Sequence, residues 1–187
     1  MKIKQCSILL AAFLLFTTFA SQAFAAGEDA AAVRAAMERA FSQLRAGDYA
    51  SLYEALPDAS RGRISRERFA ESLQRAHDSY GLELNRLDIG GVHVGRDVAV
   101  VDTVMYGQVA RPIEAAGKVV ARQYLVRENG QWRVAIGSRS VMQPLLAREP
   151  RFAKQYPSRE PHIYVERNGR WMDIGSMGAI RRRANSR

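Results

Sequence analysis

Val98-Ala99-Val100-Val101-Asp102-Thr103-Val104-Met105-Tyr106 is the stretch on which the fold turns. It reads as a long strand running from Val98 to Arg111, rich in β-branched residues. Alternation puts Val98, Val100, Asp102, Val104 and Tyr106 on one face and Ala99, Val101, Thr103 and Met105 on the other. Both faces are apolar. Immediately before it, Gly95-Arg96-Asp97 turns the chain out of a strand over Leu84–Val94, which Gly90-Gly91 interrupts as a bulge or bend. After it, a loop around Ala115-Ala116-Gly117 leads to a strand over Lys118–Glu128. Asn129-Gly130 is then a strong two-residue hairpin signal into Gln131–Gly137. These strands form an antiparallel meander.

Further upstream the apolar period changes from two to that of helices. Asp29 can cap a helix over Ala30–Ala46, whose Val33, Met37, Ala40, Phe41 and Leu44 make one stripe. Gly47 stops it, Asp48 can cap a short helix over Tyr49–Ala55, and Pro57 ends that one. Ser65 begins a third helix, with Ile64 and Phe69 placed as a hydrophobic staple. Phe69, Leu73, Ala76, His77 and Tyr80 form its stripe, and Gly81 stops it. Three helices with one apolar face each, followed by a meander, give an α+β fold. The expected architecture is three N-terminal helices on one face of a curved antiparallel sheet, with a cavity between the layers.

The 187 residues are 47% hydrophobic and 25% charged, which is globular composition, neither disordered nor a membrane bundle. That length suits one domain plus appendages. Lys2 and Lys4, the apolar run Ile8–Phe19 and the small residues of Ala23-Phe24-Ala25 read as an export signal over residues 1–25. The chain is therefore expected to be exported, periplasmic or extracellular. The single cysteine, Cys6, falls in that segment, which leaves the mature chain no disulfide and no cysteine-based metal site. The formal charge of +9 is unevenly spread. Residues 26–147 are nearly balanced, whereas 148–187 hold ten basic and four acidic residues. The question of an anionic partner belongs to those last forty residues.

Three passages carry a family resemblance. They are Ala46-Gly47-Asp48-Tyr49, the run Arg61–Phe69 (RGRISRERF), and Glu128-Asn129-Gly130-Gln131-Trp132-Arg133-Val134. In this order they resemble the nuclear transport factor 2-like superfamily, the cystatin-like α+β cone, and within it small exported bacterial domains of unknown function. The resemblance covers roughly residues 29–138 and implies a cone of three helices on a strongly curved sheet, often dimeric. Members include isomerases, dehydratases and pockets with no known reaction, so the fold does not choose among functions.

The remainder departs from that pattern. Residues 26–139 make the expected domain, and 140–161 a linker with a short helix over Ser140–Ala147, punctuated by Pro150, Pro157 and Pro161. Residues 162–177 form an extra hairpin. Its Val165, Asn168, Gly169 and Trp171 repeat Val126, Asn129, Gly130 and Trp132 at an offset of 39. It is read either as a duplication or as a hairpin that extends or covers a sheet edge. Residues 178–187, with Arg181-Arg182-Arg183 and Arg187, form a basic, disordered tail.

Few residues invite chemistry. There is no glycine-rich phosphate loop and no serine elbow, and His77, His93 and His162 stand on three different elements, so no metal or cofactor is expected. Asp102 is a carboxylate in an apolar strand. Unpaired and buried, its pKa would rise to suit a general base, as an aspartate serves in ketosteroid isomerases of the resembled fold. The competing reading is a salt bridge to Arg122 on the neighbouring strand, or exposure. His77 lies on the third helix's stripe, directed at the sheet, as a ligand contact or as a packing residue. Tyr80, Tyr106, Arg122, Tyr124 and Arg139 can read an anionic or aromatic ligand, because arginine offers a fixed fork of donors and tyrosine a polar tip. Trp132, Val134 and Ile136 share a face and belong to the core.

Three functions follow. The primary one is an exported, non-enzymatic domain holding a small molecule or peptide in its cone. The second is an isomerase- or dehydratase-like enzyme with Asp102 or His77 as base. The third is an interaction module whose basic tail meets an anionic surface; export disfavours nucleic acid. A homodimer through the outer sheet face is the further option that the two apolar faces open.

Overall fold

A computed structural model describes residues 27–110, 114–136 and 139–176; the segment read as an export signal, Arg111 and the arginine tail lie outside them. Helix α1 (27–46) is followed by α2 (Tyr49–Glu54), α3 (Asp58–Arg61) and α4 (Arg66–Tyr80). Strands β1 (Leu82–Val94), β2 (Val98–Val109), β3 (Ala115–Glu128) and β4 (Gln131–Val134) come next. Two short helices, α5 (Arg139–Leu146) and α6 (Pro150–Gln155), then lead to β5 (His162–Arg167) and β6 (Arg170–Ser176). The class is α+β. Its six strands form one antiparallel open sheet in the order β1-β2-β3-β5-β6, with β4 also on β3. No helix among the described residues is long and apolar enough to cross a membrane.

Local chemistry sets the helix ends. Asp48 caps α2, its Oδ1 accepting from the Ser51 amide at 3.1 Å. Ser65 caps α4 by accepting from the Arg68 amide at 3.3 Å, and Gly81, at φ +56°, ends it in the left-handed region. Asp29 does not cap α1. The helix starts before it, and its carboxylate, in the first turn, pairs with Arg127 at 2.5 Å. Pro57 ends α2 as expected but also opens α3, a single turn the spacing did not announce. The Tyr53 hydroxyl holds the end of that turn through the Arg61 and Ile64 carbonyls, at 3.2 and 3.0 Å.

The sheet register explains the glycines. Pairing slips between Ile89 and Val92, so Gly90 and Gly91 together oppose Asp102, which makes a bulge. The loop expected around Ala115-Ala116-Gly117 is instead the start of β3, paired with Val109, Gln108 and Gly107 of β2. Continuous register with a long neighbour outweighs the weak strand preference of alanine and glycine. Asn129-Gly130 and Asn168-Gly169 all have positive φ, as a two-residue hairpin with matching twist requires. The second hairpin does extend the sheet. β4 takes the Leu125–Glu128 end of one β3 edge, and β5 takes Gly117–Val120 of the same edge.

The two faces of β2 are buried by different parts of the chain. Ala99 and Val101 pack with Leu125, Trp132 and Val134 beneath Val33, Met37, Leu52 and Phe69 of the N-terminal helices. Val98, Val100, Tyr124 and Val126 pack on the opposite face under Met142, Leu146, Phe152 and Tyr156. Part of the outer face considered for a homodimer is thus covered by α5 and α6. The segment read as a proline-punctuated linker holds α6, with Pro150 in its first turn, where a missing N–H costs nothing.

One carboxylate fastens this outer layer. Glu149 accepts from the Arg96, Asp97 and Val98 amides at 3.0, 2.7 and 3.1 Å, across the β1–β2 turn. A Cβ on Gly95 would collide with Glu149 Oε2 and stand 3.0 Å from the Val98 carbonyl and 3.1 Å from Phe152. Gly95→Ala is therefore expected to loosen α6, costing about 1–2 kcal/mol. Faster amide exchange over residues 149–156, with β3 unchanged, would verify it; unchanged exchange there would refute it.

Candidate functional site

Of the residues singled out from sequence, Asp102, Arg122 and Tyr124 come together on the outer face, away from the N-terminal helices. Arg122 directs Nε and Nη2 at the two oxygens of Asp102, at 2.9 and 3.2 Å, a bidentate pair directly across the β2–β3 register. Its third arm donates to the Pro157 carbonyl at 3.3 Å. The hydrogen bonds from Arg122 hold the Asp102 carboxyl below its ordinary range, against a smaller opposing effect of burial. That is the reverse of what a general base near neutrality needs. Of the readings open for Asp102, the salt bridge is the one observed.

Tyr124 is buried, and its hydroxyl donates to the Tyr156 carbonyl at 2.9 Å. Burial raises its pKa, so the neutral, donating form is the one present. The Tyr156 ring stacks on His93 with centroids 4.3 Å apart. Arg122 and Tyr124, chosen as ligand readers, thus hold residues 156–157 against the sheet. They form a latch for the outer layer.

His77 is not directed at the sheet. It is exposed near the end of α4, with Nδ1 3.2 Å from Asp78 Oδ1. The stripe from Phe69 points it inward on paper, but α4 leans on the sheet chiefly through its first half, where Phe69 and Leu73 join the core. The side chains of Tyr80 and Arg139 lie outside what is described. Tyr106 is on the outer face, with the Arg86 guanidinium 3.9 Å above its ring and the Trp171 ring edge-on at 6.2 Å. Lys118 lies 4.4 Å from that Trp171 ring, so cationic and aromatic groups alternate over this end of the sheet. No group of three or more His, Cys, Asp or Glu among the described residues is placed to hold a metal ion.

Two features were not visible in the sequence. A groove of about 470 Å³ runs between α1 and the β3–β4 hairpin, lined by Ala32, Ala35, Arg39, Gln43, Gln131 and Arg133 among others. The second is a cross-strand row on the helix-side face. Leu87 pairs with Met105, Met105 with Val119, and Val119 with Ile163, so four apolar side chains stand abreast on four strands. All four are half-buried, while the rows towards Leu125 are closed off by the N-terminal helices. Met172, paired with Val165, prolongs this apolar surface and is exposed. Alternation assigns each side chain a face, but only the register lines them up.

The chain matches no protein-family model and no curated protein.

Proposed function

We propose that the chain is an exported, non-enzymatic binding domain on the nuclear transport factor 2-like plan, a cone of N-terminal helices on a curved sheet. Its ligand is a small apolar molecule or an apolar peptide segment, held on the helix-side face. The observation that carries this reading is the row Leu87–Met105–Val119–Ile163, apolar across four strands and only half-buried. A layer filled with side chains at one end and lined by half-exposed apolar ones at the other offers a mouth rather than a sealed core. The enzymatic alternative loses its best base, because Asp102 is on the opposite face and bound by Arg122. His77 is exposed on the helix, beside Asp78.

Met105→Lys tests the reading, because a lysine at the centre of the row should abolish binding of an apolar ligand. The measurement is titration with anilinonaphthalene sulfonate, alongside native mass spectrometry of the chain exposed to mixed fatty acids. Saturable binding by the parent chain, weakened at least tenfold in Met105→Lys with unchanged circular dichroism, is the expected result. Binding equally strong in both chains would place the ligand elsewhere.

A further inference from the structure

The two borders of the sheet are built differently, and the difference points to a partner. A terminal strand leaves a row of N–H and C=O groups unpaired, and proteins guard such borders with charge, bulges or shortness. β1 is guarded: two register slips break its pairing, and Glu83, Asn85, Arg86 and Asp88 are exposed along it. β6, the other border, carries one slip, at Ile174, but it differs in what it leaves exposed. Trp171, Met172 and Ile174 are 39%, 40% and 43% exposed on a single seven-residue strand. They occupy both faces, Trp171 beside Tyr106 on the outer side and Met172 opposite Val165 on the helix side. Its one acidic residue does not protect it, since Asp173 turns inward to His162 at 3.0 Å and to the Gly175 amide at 2.7 Å. Apolar side chains on both faces belong to a strand inside a sheet, not to a border.

We propose that β6 is a dimerisation edge, on which a second copy of this chain pairs its own β6 antiparallel about a two-fold axis at Met172. The inference goes beyond the binding reading and does not depend on what the helix-side row holds. The register follows from the hairpin. Across the two-residue Asn168-Gly169 turn, Arg167 and Arg170 are the paired residues, so alternation turns the backbone groups of Trp171 and Asp173 to the free edge. Identical strands paired about such an axis set residues of the same face opposite one another. An axis at Asp173 would oppose two carboxylates, and one at Trp171 would spend half its hydrogen bonds on the turn glycine. The axis at Met172 avoids both. It sets Trp171 and Asp173 in reciprocal hydrogen-bonded pairs and Met172 against its own copy, where side chains approach most closely. The two Trp171 rings become diagonal neighbours, and the regular pairing runs from Trp171 to Asp173, ending at the slip at Ile174. A second copy therefore covers Trp171 and Met172 at once, with no like charges directly opposite one another.

Sedimentation velocity of the purified chain over a range of concentrations tests this. A reversible monomer–dimer equilibrium is expected, and Met172→Lys should remove it by setting two ammonium groups face to face. Thermal midpoint and circular dichroism report whether that variant folds. Independently of its folding, Met172→Cys should close a disulfide between copies under mild oxidation, since the paired positions lie within bridging distance. Val120→Cys, equally exposed at 39% on the outer face of β3, should crosslink at least tenfold more slowly. A chain that stays monomeric throughout overturns the proposal. So does a dimer that survives Met172→Lys, or equal crosslinking at 120 and 172, either of which moves the contact off β6.

Discussion

Removing the carboxylate of Asp102 is expected to destabilise the fold by about 2–3 kcal/mol, because it strands a charge rather than because it deletes a contact. The Arg122 side chain is 8% exposed and the Asp102 side chain 45%, so the arginine is the dependent member of the pair. In Asp102→Ala its guanidinium keeps one carbonyl, that of Pro157, and loses both carboxylate bonds. Water reaches the half-exposed site, which keeps the cost at the lower end of what a buried pair would show. Acid should reproduce the effect. The folded-state pKa of Asp102 is lowered, so its stabilising contribution is present above the ordinary carboxylate range, near pH 4. It is lost as pH falls through the lowered value, where the parent chain and Asp102→Ala should converge. Urea unfolding from pH 7 down to pH 2 is the measurement. Two curves running parallel throughout would show that the pair contributes nothing. Arg122→Met added to Asp102→Ala should recover much of the loss, since an apolar side chain leaves no charge to satisfy.

Leu125→Ala should cost more, about 3–4 kcal/mol, and lower the thermal midpoint by about 6–14 °C. Leu125 is fully buried on β3 and packs in the core where α1, α2 and α4 meet the sheet. Its neighbours Val101, Trp132 and Val134 are held by their own ladders and cannot close the space. Val120→Ala, five residues away on the same strand and exposed, should stay within about 0.5 kcal/mol of the parent. Calorimetry on the two variants compares them directly. A Leu125→Ala midpoint within 2 °C of the parent would mean that this layer is loosely packed.

How much of this was legible beforehand varied with the range of the interactions. Asp48, Ser65 and Gly81 act at their own helix ends, and each did what its residue type does there. Gly90-Gly91 announced the bulge and Asn129-Gly130 the hairpin for the same local reason. The pairing of Asp102 with Arg122 was foreseeable too, because a hairpin-like count across two adjacent strands sets them abreast. The inward placing of His77 failed, since a helical stripe records which residues share a face but not how much of the helix rests on the sheet. Asp29 failed as a cap because the start of α1 was read from one residue type alone. Helix α6 was missed because six residues opening on a proline look like a connector, and only their contact with the outer face makes them a helix.

The sequence by itself determined the periods: two apolar faces for β2, one for each long helix, tight turns at the Asn-Gly pairs. Periodicity and turn chemistry are properties of a few consecutive residues, so no tertiary knowledge was needed to read them. Only the tertiary structure decided what covers each face and which side chains meet. It turned Arg122 and Tyr124 from ligand readers into a latch, lined up Leu87, Met105, Val119 and Ile163, and left β6 at the border. Those outcomes depend on register and on partners up to several strands distant, and both are set by the free energy of the whole packed arrangement rather than by any local stretch.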